Sequence, residues 1–126
     1  MKATVICTQG ADLEATIEIT GQRLRVMDSF SSYDRRTPPG TCIDITLSSL
    51  SFSDETWEQI FTGNPDKLKR LESLGGWRYR AYGQVRSIDP MVVDCGVDIA
   101  DDVVSTHDPR VVGEYVAYTI DRLDAM

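Results

Sequence analysis

The sequence predicts an α+β chain that is mainly β. The expected form is a strongly bent antiparallel sheet or partly open barrel of about seven strands, with a short helical pair inserted after the fourth. Three observations lead there. The first is the stretch from Trp77 to Ile99. Its first arm sets Trp77, Tyr79, Ala81, Gly83 and Val85 on one face, and Arg78, Arg80, Tyr82, Gln84 and Arg86 on the other. That period of two marks a half-buried strand. Asp89-Pro90 supplies a turn, and a second arm sets Val93, Cys95, Val97 and Ile99 against Asp94 and Asp98. Each arm exceeds the usual 5–6 residues or so, so the pair must coil, and mid-arm Gly83 and Gly96 are places for a bulge or bend. The second observation is a series of alternating segments before this hairpin. The third is a change to helical spacing between residues 53 and 76.

In chain order, residues 2–7 read as a strand with Ala3, Val5 and Cys7 inward. Leu13, Ala15, Ile17 and Ile19 then alternate with polar residues. Gly21-Gln22 offers a two-residue turn, and residues 23–26 return, with Ile19 opposite Leu24 and Glu18 opposite Arg25. Arg23 and Arg25 therefore belong to a solvated sheet face, where such pairs contribute about 0.2–1 kcal/mol. Residues 29–40, SFSSYDRRTPPG, form a long loop rich in turn residues, and Tyr33, Asp34, Arg35 and Arg36 are its groups able to meet a partner. Residues 42–50 read as a fourth strand with Ile43, Ile45 and Leu47 inward.

Ser53 is a suitable N-cap, with Asp54 and Glu55 in the first turn and Phe52 and Trp57 placed as a hydrophobic staple. Trp57, Ile60 and Phe61 form an apolar stripe of the kind that usually faces a core. Gly63 ends this helix. Asn64-Pro65 starts a second, with Leu68 and Leu71 as its face and Gly75-Gly76 as its stop. The pair would plug one open end of the sheet. A second long loop, residues 100–110, precedes a last strand from Val111 to Asp121, with Val116, Tyr118 and Ile120 inward. An OB barrel also places a helix between its third and fourth strands, so the layout is OB-like by analogy, with no motif behind it.

A length of 126 residues predicts a single domain, 1–126, able to bury its own core. No apolar run approaches the roughly 20 residues of a membrane span, and the start MKATVICTQG has no secretory pattern. Cys7, Cys42 and Cys95 are odd in number and lack C-x-x-C spacing, which predicts free thiols, Cys7 and Cys95 buried, and a cytoplasmic setting.

The net charge is −7. Residues 1–88 carry 11 acids and 11 Lys or Arg, whereas residues 89–126 carry 9 acids against Arg110 and Arg122, so 2 − 9 = −7 falls in the last third. Such a field attracts basic partners and opposes phosphate. The leading expectation is therefore a non-enzymatic protein-binding module, of acidic inhibitor, immunity or adaptor type, engaging a basic protein. Its contacts would come from Tyr33, Asp34, Arg35, Arg36, Asp98, Asp101, Asp102, His107 and Asp108. No cofactor is expected. One alternative is a small enzyme or metal-binding protein using Asp101, Asp102, His107 and Asp108, although no established ligand spacing occurs. His107 is the only histidine, so any Cys/His or Ser/His pair must use it, and no G-x-S-x-G is present. Another alternative is an OB-like single-strand nucleic-acid binder through Arg78, Arg80 and Arg86 with Tyr82, which the net charge opposes.

Overall fold

The computed structural model describes residues 1–51, 55–100 and 106–126. The described chain is mainly β, with one α-helix. It falls into two compact units, residues 1–48 with 123–126, and residues 49–122.

In the first unit, β1 (Lys2–Thr8), β2 (Glu14–Ile19) and β3 (Gln22–Asp28) form an antiparallel meander. β4 (Cys42–Asp44) pairs with the outer edge of β1. β11 (Arg122–Ala125) enters this unit from the far end of the chain and runs parallel to β3, with Asp124 opposite Met27. Leu123 and Ala125 are fully buried. Arg122–Ala125 alternates with period two, but over only four residues and out of phase with the strand before it, which is why a reading that ends at Asp121 misses it. The turn between β2 and β3 is Thr20-Gly21, both at positive φ (49° and 82°), rather than Gly21-Gln22. Two positive φ values suit the right-handed twist of a hairpin. The register accordingly moves by two residues: Ile17 faces Leu24 and Glu18 faces Arg23. Because the shift is even, the buried set is preserved, and Ala15, Ile17, Leu24 and Val26 are buried as expected. Arg23 pairs with Glu18 at 3.4 Å and Arg25 with Glu14 at 2.7 Å on the solvated face.

Two inward assignments are corrected here. A bulge between Val5 and Cys7 places one extra residue in β1, and Cys7 turns to the exposed side. Leu13 lies before β2 begins and is 49% exposed. The expected single strand over 42–50 is also two. Ile45 and Thr46 interrupt it to bond the chain ends, through Ile45 N–H to Met1 and a reciprocal pair between Thr46 and Met126, and β5 (Leu47–Leu50) follows.

The second unit is organised on β7 (Arg78–Ile88), the 11-residue strand at the start of the predicted hairpin. Its length is explained by its partners. One edge is shared by β6 (Arg70–Gly75), which pairs with the first half, and β8 (Met91–Asp94), which pairs with the second. The other edge carries β10 (Tyr115–Ile120). The turn at Asp89-Pro90 is present, with a cis peptide. The second arm is not one strand: Cys95-Gly96-Val97 turns the chain back, and β9 (Asp98–Ala100) pairs with β8. Val93, Cys95, Val97 and Ile99 are nonetheless all buried. Gly96, at φ 87°, serves this turn, and the β7 bulge lies between Val85 and Ser87, not at Gly83.

The helical pair is corrected to a single helix, α1 (Trp57–Thr62). Ser53, Phe52 and Asp54 lie outside the described residues. The cap is Thr56, whose hydroxyl accepts from Gln59 N–H at 3.1 Å while the Gln59 side chain accepts from Thr56 N–H at 2.9 Å. This T-x-x-Q capping box satisfies two otherwise orphaned donors. The expected second helix is β6. Gly75 and Gly76, both at positive φ, lead its hairpin to β7 rather than stop a helix. A 3-10 turn at Pro109–Val111 precedes β10, so the strand expected over Val111–Asp121 begins at Tyr115, and β11 follows it. No helix among the described residues is long and apolar enough to cross a membrane.

Candidate functional site

The predicted contact residues divide between the units. Tyr33, Asp34, Arg35 and Arg36 are exposed in the first. Tyr33 is 87% exposed, and its hydroxyl donates to Asp12, which raises its pKa. The loop holding them is pinned from beneath by Asp28. This fully buried carboxylate accepts from the Thr8 hydroxyl and from the N–H groups of Phe30 and Ser31 (3.0 and 2.7 Å). Burial pushes the Asp28 carboxyl up, but these donors outweigh it and hold the pKa below the ordinary 3.8. A depressed folded value means the contribution to stability is complete above the unfolded pKa and drains as pH falls through the folded one. Asp28→Ala is expected to cost about 2 kcal/mol, because buried donors lose their acceptor. Acid unfolding followed by circular dichroism should show a flatter pH dependence in Asp28→Asn; an unchanged acid limb would refute this role.

In the second unit, Asp98, His107 and Asp108 enter three separate pairs. Both carboxylate oxygens of Asp98 accept from one nitrogen, Nη1, of Arg86 at 2.9 and 2.7 Å. Asp108 is held by Arg110 at 2.7 Å, which lowers its pKa to about 2. His107 lies 3.3 Å from Asp89 and is open to solvent. Asp101 and Asp102 lie outside the described residues. Among the described residues no three His, Cys, Asp or Glu side chains gather as a metal site would require. Asp94 faces Lys69 at 3.2 Å and Asp121 faces Arg78 at 3.4 Å. Cations, three of them from before residue 89, thus meet four acids of the last third and weaken its field.

The arginine face of β7 is engaged in the same way. Arg80 donates to Glu55 at 2.9 Å and to the Thr119 hydroxyl at 3.1 Å, while Glu55 also accepts from Thr119 N–H at 2.6 Å. Burial raises the Glu55 pKa, but the Arg80 and Thr119 donors prevail and lower it. Arg78 and Arg86 face Asp121 and Asp98, and Arg70 lies 5.7 Å over the Tyr82 ring.

A different surface emerges around α1. The helix packs on β10, and of its stripe only Ile60 is buried. Trp57 is 50% exposed and stacks on Phe61, with centroids 5.5 Å apart and planes 11° from parallel. Phe61 then forms a wall of a cleft of about 280 Å³, with Pro65, Lys67, Glu114 and Tyr115 among its other walls. The expectation that this aromatic stripe faces a core is therefore corrected: a six-residue helix on a sheet can bury only one side, and Ile60 takes it. Beneath the cleft, Asn64 is 5% exposed. Its amide donates to the carbonyls of Leu68 (2.9 Å), Val116 (3.2 Å) and Gly83 (3.4 Å), and its oxygen accepts from Leu68 N–H at 2.8 Å. Gly83 and Val116 are direct partners across β7 and β10, so Asn64 fixes the loop to the sheet. Helical spacing in the sequence marks Trp57 and Phe61 as core residues and does not mark Glu114 and Tyr115, which lie more than fifty residues away.

No family model, curated protein or solved structure matches the chain.

Proposed function

We propose that this chain is one domain acting as a non-enzymatic module that engages a basic protein partner. The observation that supports this best is the α1 surface. Exposed Trp57 stacks on Phe61 beside a cleft that also holds Glu114. Glu58 lies one helical turn before the cleft residue Thr62, and Asp66 lies between Pro65 and Lys67. These three carboxylates are exposed, and none has a cation within 4 Å among the described residues. Exposed aromatics bordered by uncompensated charge are the composition of recognition surfaces, and charge complementarity steers association. The exposed free thiols Cys7 and Cys42 support a reducing, cytoplasmic setting.

The acids first expected to carry recognition have less support, since Asp98 and Asp108 are neutralised internally. The OB-like nucleic-acid alternative also loses support, since Arg78, Arg80 and Arg86 each face a carboxylate and Arg70 lies over the half-buried Tyr82 ring. Affinity capture at low and moderate salt tests the proposal. The retained partner should be basic and salt-sensitive, and retention should fall at least about tenfold in Glu58→Lys with Glu114→Lys, a change of roughly 1.4 kcal/mol. A partner held equally by the charge-reversed variant would refute it.

A further inference from the structure

We infer that the cleft between Phe61 and Tyr115 takes a proline-containing, basic, extended segment of the partner; this rests on the binding reading above. At about 280 Å³ the cleft lies just below the roughly 300–1,000 Å³ of small-molecule sites. It suits two side chains of a longer strand better than a whole cofactor. Its walls decide which side chains. The Lys67 ammonium already lies over the Tyr115 ring, 5.8 Å from its centroid, so that aromatic face holds a cation supplied by the chain itself. The apolar walls that remain are Phe61 and Pro65, and Trp57 stacks on Phe61. The near-parallel stack makes Trp57 and Phe61 one ridge rather than two isolated rings.

An uncharged ring packs on such a ridge without losing hydrogen bonds. A proline segment in the polyproline II form arrives already extended, so little conformational entropy is lost on docking. Aromatic-lined grooves recognise such segments in this general manner. The charge balance fixes the flanking residues. Glu114 and Lys67 line the cleft and cancel, while Glu58 and Asp66, which adjoin the lining residues Thr62, Pro65 and Lys67 along the chain, add two negative charges nearby, which favours arginine or lysine beside the prolines and disfavours acidic sequences.

The test uses the full chain and three fluorescein-labelled synthetic peptides, read by anisotropy. The first is proline-rich with arginines, the second has its prolines replaced by alanine, and the third has its arginines replaced by glutamate. The expected result is saturable binding of the first, at least about tenfold weaker binding of the other two, and a similar loss in Trp57→Ala. Trp57 is half exposed, so this variant should fold, and an unchanged melting temperature would confirm it. Equal binding of the proline and alanine peptides, indifference to Trp57→Ala, or Trp57-dependent binding of a single-stranded oligonucleotide in place of the peptide would each overturn the inference. If arginine-bearing peptides bind regardless of proline and of Trp57, the cleft assignment falls while a basic partner stands; if none binds, both fall.

Discussion

Asn64→Ala should lower stability by about 3 kcal/mol, more than any surface change in the chain. One side chain satisfies three backbone carbonyls and one N–H. Each such bond contributes roughly 0.5–1.5 kcal/mol net, and a buried group left unpaired costs about 1–3. The 3.4 Å contact to Gly83 is the weakest, so the total stays below the simple sum. Urea denaturation measures the loss. Asn64→Asp separates the contribution of the amide donor from that of volume. It keeps an acceptor for Leu68 N–H but points a carboxylate at the carbonyls of Leu68 and Val116. It should be worse than alanine at neutral pH and recover as acid protonates it. If Asn64→Asp matched the parent, the amide would have no such role. The peptide binding proposed for the cleft of Phe61 and Tyr115 should also be lost in these variants, because Asn64 lines that cleft and holds its loop.

Gly83→Ala should cost about 2–3 kcal/mol through overpacking. A Cβ there would lie 2.7 Å from the Asp94 carbonyl oxygen, 2.7 Å from Val93 Cγ1 and 2.8 Å from Cys95 Sγ. The backbone contact is the decisive one, since a carbonyl in a paired strand cannot rotate away. The melting temperature is expected to fall by about 8 °C for a chain of this length. Combining Gly83→Ala with Cys95→Ala removes the sulfur contact and should recover about 0.5 kcal/mol or more relative to additivity. Strict additivity would show that Cys95 does not press on this site.

Much of the fold is legible in the sequence because burial in strands follows a period of two. Alternation sets Tyr79, Ala81 and Val85 inward, and they are buried. Even the turn expected at Gly21-Gln22 and found at Thr20-Gly21 leaves the inward set intact, since a two-residue slip preserves parity. The same alternation persists through Cys95-Gly96-Val97 although the chain reverses there, and so period alone counts one strand where there are two. The segment from Asn64 to Gly75 misleads for a related reason. Leu68 and Leu71 are three apart, which fits a helix turn, but β7 offers an unpaired edge that a strand from Arg70 can fill.

The candidate site divides along the same line. Local chemistry in the sequence determined the β-rich class, the exposed arginine and glutamate faces, the turn at Asp89-Pro90 and the aromatic character of the helix. Only the tertiary structure decided which of those groups are free to act. It matched Arg86 to Asp98 and Arg80 to Glu55, turned Trp57 outward because Ile60 occupies the one face the short helix can bury, and brought Tyr115 and Glu114 to Phe61. Spacing along a chain fixes which side of an element a residue occupies, whereas cancellation of charge and the walls of a cleft depend on neighbours far away in sequence.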